Sequence, residues 1–197
     1  MPVVDFYYDF VSPYTYLAVM RLDRVLDRRR VRVNWLPMLL PQLIESSGNV
    51  SPATVRKKAL YLLRDLQRWA EYLGVPFVMQ RPAFFDARPA LVAAQALAGD
   101  ARERFSRAVF EALWGEGHRP EGDWVAEILA RRGLPAGWAR PDDPEARMRA
   151  LRDNTAAALR AGAFGAPSFV LRGAGRPQLF WGVDRMDFLA RAAGAGA

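Results

Sequence analysis

Val3-Val4-Asp5-Phe6-Tyr7-Tyr8-Asp9-Phe10-Val11-Ser12-Pro13-Tyr14-Thr15 is the stretch on which the fold depends. Residues 3 to 10 are mostly β-branched or aromatic, the composition of a buried strand. Ser12-Pro13 then reads as a helix start, with serine as N-cap and proline at the first helical position. From residue 14 to about residue 29, Leu17, Met20, Leu22, Val25 and Leu26 keep near one stripe, as in an amphipathic helix. Val31-Arg32-Val33-Asn34-Trp35-Leu36 returns to strand pattern. A strand, a helix and a strand joined by so short a return favour a parallel pair in an α/β sheet.

Beyond this unit, residues 37 to 161 hold helical patterns and no strand alternation. They are punctuated at Gly48-Asn49, Gly74-Val75-Pro76, Arg88-Pro89, Gly115-Glu116-Gly117 and Gly133-Leu134-Pro135. The clearest helix spans residues 54 to 73, where Val55, Leu62, Leu63, Leu66 and Trp69 recur at helical spacing. Asp142-Asp143, between prolines, reads as another helix start. Strand signals return at Ser168-Phe169-Val170-Leu171 and Gln178-Leu179-Phe180-Trp181, a hairpin pattern, before a last helix for which Asp184 is the N-cap candidate. Strands at both ends with a long helical block between them predict a split sheet carrying a helical subdomain.

The chain has 197 residues, 51% of them hydrophobic, enough for one sizeable core. Its 28 basic and 21 acidic residues give a net charge of +7, and every basic residue is Arg except the pair Lys57-Lys58. Most of the Arg residues alternate with Asp and Glu, as in Arg21-Leu22-Asp23-Arg24, and read as solvated helix faces. The excess favours an anionic small ligand over nucleic acid, since no groove-reading helix or aromatic RNA-binding motif accompanies it. No apolar run approaches the length of a membrane span, and no signal-peptide pattern opens the chain, so a cytoplasmic protein with no membrane partner is expected. His118 is the only histidine, which leaves a His-based triad or multi-His metal site without a second member.

The chain also has no cysteine. In thioredoxin-like folds the turn between first strand and first helix carries Cys-x-x-Cys, with the first sulfur at a helix N-terminus that stabilises a thiolate. Here Ser12-Pro13-Tyr14-Thr15 occupies that turn. A hydroxyl cannot exchange disulfides, so oxidoreductase activity is expected to be absent. It can donate a hydrogen bond to a thiolate brought in on a ligand, of which glutathione is the obvious one. The second signal is Gly165-Ala166-Pro167-Ser168, a proline directly before a strand. Alone it reads as a loop end. In thioredoxin-like folds a cis-proline there faces the first turn, and the residue before it, here Ala166, offers its N–H and C=O to a peptide-like ligand.

Residues 5–14, the segment from Gly48-Asn49 through Lys58-Ala59-Leu60-Tyr61, Gly162-Ala163-Phe164-Gly165-Ala166-Pro167 and Phe180-Trp181-Gly182-Val183-Asp184-Arg185-Met186 together resemble kappa-class glutathione transferases. The likeness is greatest to their bacterial members, the 2-hydroxychromene-2-carboxylate isomerases. The resemblance implies a DsbA-type thioredoxin-like α/β fold split by a large all-helical insertion. Residues 1–36 and 162–193 would form the two halves, 37–161 the insertion and 194–197 a disordered tail. It implies that Ser12 is catalytic, holding the glutathione sulfur as thiolate. Asn49 and Lys58 would contact glutathione, with Lys58 suited to a carboxylate, and Ala166 before Pro167 would pair with the cysteinyl part. Val183 and Asp184 would hold the γ-glutamyl end, Asp184 meeting its ammonium group and the helix N-terminus its carboxylate. Singly, Asn49 also reads as a turn residue, Lys58 as a solvated charge and Asp184 as a cap.

The implied reaction is thiolate addition to a conjugated carbon of a chromene carboxylate, ring opening, bond rotation and thiolate departure, giving trans-o-hydroxybenzylidenepyruvate. Glutathione is then a cofactor, the partner a small aromatic acid, and a homodimer is expected because family members are often dimers. Tyr7, Tyr8, Trp35, Phe84 and Phe85 are candidates for the acceptor pocket, with core packing as the alternative. Three departures bear on the aromatic substrate more than on glutathione: Val183, polar in some relatives, so that here only its backbone could bind the γ-glutamyl group; Pro41 in place of glycine; and Phe84-Phe85-Asp86-Ala87-Arg88-Pro89. A general kappa-type transferase or peroxidase, and a noncatalytic DsbA-like peptide-binding module, are the competing readings.

Overall fold

The computed structural model describes residues 1–173 and 175–194. Strand β1 (Val3–Tyr8) lies parallel to β2 (Arg32–Pro37) and antiparallel to β3 (Ser168–Arg172), which pairs antiparallel with β4 (Gln178–Trp181), in the order β2-β1-β3-β4. The helices are α1 (Pro13–Val25), α2 (Leu40–Ser46), α3 (Arg56–Leu73), α4 (Arg88–Ala96), α5 (Gly99–Phe110), α6 (Trp124–Arg131), α7 (Pro144–Arg160) and α8 (Met186–Ala192). The mixed α/β sheet expected from the sequence is present, with the parallel β1–β2 pair and the terminal hairpin in place.

Helices cover both faces of the sheet, which explains the near-continuous apolar run of β1. On one face Phe6 stacks on Phe169 at 4.8 Å and meets Trp35 edge-on at 5.0 Å, within a core that continues into α1, α3, α4, α5 and α6. On the other face Tyr7 and Val170 pack with Met38, Leu43 and Ala158 beneath α2 and α7. The core runs without a break from sheet to helical block: Phe10 lies 4.8 Å from Phe110 and 6.3 Å from Phe105.

Several local readings are corrected. Helix α1 stops at Val25 because Leu26 is extended and Asp27 organises a tight turn, its carbonyl accepting from Arg30 and Val31 and its side chain from Arg29. The long helix begins at Arg56, after a separate 3-10 turn at Pro52–Thr54, and ends on Gly74 in the left-handed region. Asp184 does not cap α8: it lies inside a 3-10 turn, Val183–Arg185, that precedes the helix, and its side chain pairs with Arg185. Asp143 does cap α7, accepting from the Ala146 N–H at 2.9 Å. Of the tail expected to be disordered, residues 195–197 lie outside the described residues. No helix among the described residues is long and apolar enough to cross a membrane.

Candidate active site

The turn between β1 and α1 is held from three sides. The Phe10 carbonyl, left unpaired as β1 ends, accepts from Trp114 Nε1 at 2.8 Å. Trp114 reaches it from a π-helical turn, Glu111–Gly115, that continues α5, a distortion often found at functional sites. The Asp9 carboxylate accepts from Val11 N at 3.2 Å and from Leu40 N at 2.8 Å, pinning the turn to the start of α2. Burial pushes that carboxyl up to about 6, against the opposing pull of the N–H donors of Leu40, Val11 and Phe10. The Ser12 N–H closes the turn onto the Asp9 carbonyl at 3.2 Å.

Ser12 is the N-cap of α1, its Oγ accepting from Thr15 N at 3.2 Å with Pro13 at the first helical position. The hydroxyl proton faces the Ala166 carbonyl at 3.4 Å, a long contact that leaves it available to a better acceptor. The first turn of α1 carries no acidic residue, so the helix N-terminus keeps its partial positive charge. The Ala166-Pro167 peptide is cis, and Ser12 and Ala166, 154 residues apart, meet across the site.

The wall beyond Pro167 is built from glycines. A Cβ at Gly165 would lie 2.7 Å from Trp181 Nε1, and Trp181 packs on Phe164 at 4.9 Å. Gly182 has φ +95°, a conformation that favours glycine, and the Asp184 carboxylate folds back over it, its Oδ1 2.5 Å from where a Cβ would lie. Gly182 N–H donates to the Pro167 carbonyl at 3.0 Å, joining β4 to the cis-proline.

Of the residues predicted for the site, Ser12, Ala166 and Pro167 converge by direct contact or adjacency. Asn49 joins them by donating Nδ2–H to the Phe164 carbonyl at 3.1 Å. Val183 and Asp184 follow Gly182, with the Val183 side chain buried and its carbonyl taken by Arg21 at 2.7 Å. Lys58 stands apart, exposed on the first turn of α3 in a shallow groove of about 340 Å³ shared with Pro52, Lys57, Tyr61 and Leu62. Between that groove and the Ser12 turn lie Tyr61, Asp65 and Tyr14: Tyr61 and Tyr14 donate to the Asp65 carboxylate at 3.4 and 2.7 Å. Burial, reinforced by Asp65, pushes the Tyr14 phenol far up, so it stays a donor.

The aromatic candidates divide. Tyr7, Tyr8 and Trp35 are core residues, Tyr8 donating or accepting at 2.6 Å with Ser106, so they do not line an acceptor pocket. Phe84 is 64% exposed and Phe85 half-buried against Trp114 at 6.1 Å, so the loop between α3 and α4 brings Phe85 against the residue that bonds the turn. Sequence reading missed Trp114, Asp9 and Arg21. Asp9 was visible as a carboxylate in an apolar run just before Ser12; Trp114 had no local signal.

A split sheet with a helix N-terminus facing a cis-proline defines a thioredoxin-like protein, here with a hydroxyl where the redox members carry sulfur. The sequence matches the DSBA-like thioredoxin domain family over residues 3–194. It is 30% identical to a 2-hydroxychromene-2-carboxylate isomerase of Pseudomonas putida, across 98% of this chain and 94% of the relative. It is 26% identical to the rat (Rattus norvegicus) glutathione S-transferase kappa 1, across 95% and 89%. A solved structure of 2-hydroxychromene-2-carboxylate isomerase superposes with a TM-score of 0.81 at 28% identity, across 98% of this chain and 94% of that one. The chain belongs to the DsbA-like thioredoxin-domain family, among the enzymes named 2-hydroxychromene-2-carboxylate isomerases and kappa-class glutathione transferases.

Proposed function

We propose that this chain is a cytoplasmic glutathione-dependent isomerase of aromatic-compound breakdown, acting on 2-hydroxychromene-2-carboxylate or a related aromatic acid. The observation that carries the reading is the Ser12 hydroxyl, held at the N-cap of α1 with its proton only loosely engaged by the Ala166 carbonyl at 3.4 Å. The residues present fit glutathione: the Ser12 hydroxyl proton and the Ala166 backbone meet at the cis-proline with only a 3.4 Å contact between them, and Lys58 has no ion-pair partner among the described residues.

When bound, glutathione supplies a thiol sulfur able to add to a conjugated carbon and leave again unchanged. Ser12 donates its Oγ–H to that sulfur, and the α1 N-terminus adds positive potential. A hydrogen bond to a charged group contributes about 1.5–3 kcal/mol, roughly 1–2 units of thiol pKa. Ala166 would present backbone groups to the cysteinyl part, Asn49 and Lys58 would contact glutathione, with Lys58 suited to a carboxylate, and Asp184 would meet the ammonium of the γ-glutamyl end. The loop carrying Phe84 and Phe85 supplies aromatic surface for the acid. The proposed assembly is a homodimer.

Titration calorimetry of glutathione, with thiolate absorbance followed against pH, tests the site. Binding with a thiol pKa below that of free glutathione supports it, and no binding by the wild type overturns it. Conversion of the chromene with glutathione conserved distinguishes an isomerase from a transferase or peroxidase, which consumes glutathione. A noncatalytic peptide-binding module would bind without lowering the thiol pKa.

A further inference from the structure

We propose that Arg21 is a positioning residue for the γ-glutamyl end of the ligand: a buried guanidinium that fixes the orientation of the Val183-Asp184 peptide. The inference rests on the glutathione reading above and deepens it.

Arg21 is 9% exposed, whereas Asp23 and Arg24 on the same helix are exposed. Long charged side chains are buried this far only when paired. Its Nη1 donates to the Val183 carbonyl at 2.7 Å, and its Nη2 donates to both Asp187 carboxylate oxygens at 2.8 and 2.7 Å. The guanidinium also lies over the Trp69 ring at 5.6 Å. Three elements, α1, α3 and the start of α8, therefore meet on one planar cation.

The consequence follows from peptide geometry. In a trans peptide the C=O and the next N–H point in opposite directions. Drawing the Val183 carbonyl inward onto Arg21 turns the Asp184 N–H outward, away from the buried guanidinium. From the other side, the Gly182 N–H bond to Pro167 ties the same turn to the cis-proline loop. The turn carrying Asp184 is thus located by two attachments. One belongs to the loop of Ala166, the other to the helix that begins at Ser12. Because Arg21 and Ser12 share α1, the hydroxyl for the sulfur and the anchor for the γ-glutamyl end sit on one rigid body. Lysine cannot replace the fork, since a single ammonium does not satisfy a carbonyl and both carboxylate oxygens in one plane.

The test compares two thiols, glutathione and cysteinylglycine, which lacks the γ-glutamyl group, on wild type, Arg21→Met and Arg21→Lys. Calorimetry gives affinities, thiolate absorbance gives the bound-thiol pKa and thermal unfolding reports the fold. The expected result for Arg21→Met is a loss of roughly tenfold in glutathione affinity, with cysteinylglycine affinity and bound-thiol pKa unchanged. Arg21→Lys should fall between. Equal losses for both thiols would reduce Arg21 to a structural staple, and an unchanged glutathione affinity would also overturn the proposal. If Arg21→Met does not fold, Asp187→Asn, at an exposed carboxylate, loosens the same clamp. It should reduce the preference for glutathione over cysteinylglycine, and an unchanged preference refutes positioning. A wild type that binds neither thiol removes the glutathione reading itself, a result separable from any that concerns Arg21.

Discussion

The two walls of the site are made differently. The inner wall, Ser12 with Ala166 and Pro167, is anchored in the core: Ser12 is 5% exposed, and the carbonyl and carboxylate just before it are bonded to Trp114, Leu40 and Val11. The outer wall, Asn49 in the loop after α2 and Lys58 on the first turn of α3, is exposed, and α3 begins without a side-chain cap. Preorganised donors in a dry environment alter chemistry, whereas exposed charges alter affinity modestly. The inner wall should therefore govern what happens to the thiol, and the outer wall how tightly the thiol is held.

The most severe challenge to this contrast is Trp114→Ala. Deleting a fully buried tryptophan removes the packing against Phe77 and Phe85 and orphans the Phe10 carbonyl. A loss of about 3–5 kcal/mol is expected in denaturant unfolding. Trp114→Phe keeps most of the packing and should cost about 1–3 kcal/mol, the penalty for the unpaired carbonyl. If Trp114→Phe costs almost nothing while Trp114→Ala costs the full amount, the hydrogen bond does not hold the turn and the inner wall is only packed.

Asp9 gives the second test, by pH. Its carboxyl is raised from the ordinary 3.8 to about 6 by burial, so the folded chain binds a proton that the unfolded chain has released. Stability from this group is present in full below about pH 4 and lost as pH rises through about 6, a decline of about 3 kcal/mol. Asp9→Asn should flatten that part of the stability profile. Unfolding midpoints of the two proteins from pH 4 to 7 measure the difference, and parallel profiles would show that Asp9 ionises as freely in the folded chain as in the unfolded one.

Ser12→Ala comes third. The bound thiol pKa should rise by about 1–2 units, with turnover at neutral pH falling roughly 10- to 100-fold. The lost cap should cost only about 1 kcal/mol of stability. An unchanged thiol pKa would leave the inner wall without its chemical role.

The same contrast sets what could be read in advance. Ser12 and Pro167 were legible because each is announced by its neighbours: an N-cap before proline at the end of a strand, and a proline opening another. Fold class followed from strand and helix periods, which are local. Arg21 was read with the solvated charges because its partner carbonyl is 162 residues away, and nothing in Arg21-Leu22-Asp23-Arg24 distinguishes the buried member. Trp114 was missed because the π-helical turn that aims it has no compositional signature. Tyr8 and Trp35 were offered to the acceptor pocket because aromatic residues in a strand look alike whether they face a core or a cavity. Asp184 reads as a cap because an aspartate before an apolar helical pattern is a common start signal, and the 3-10 turn before α8, which moves the helix start by one residue, has no such signal.

The smallest effect belongs to the outer wall and is the sharpest test of the distinction. Lys58 projects from the first turn of α3 into an open groove, with water available to its ammonium throughout. A pair formed there with a ligand carboxylate is screened and contributes about 0.2–1 kcal/mol, at most roughly fivefold in affinity. Lys58→Met keeps much of the side-chain length and removes the charge. It should weaken glutathione two- to fivefold, roughly the same range, while bound-thiol pKa and unfolding midpoint stay where they are. The weakening should shrink as salt is raised, since the Debye length falls to about 3 Å at 1 M. If Lys58→Met instead moves the thiol pKa as far as Ser12→Ala does, the two walls act as one electrostatic unit, and the separation between chemistry inside and affinity outside is lost.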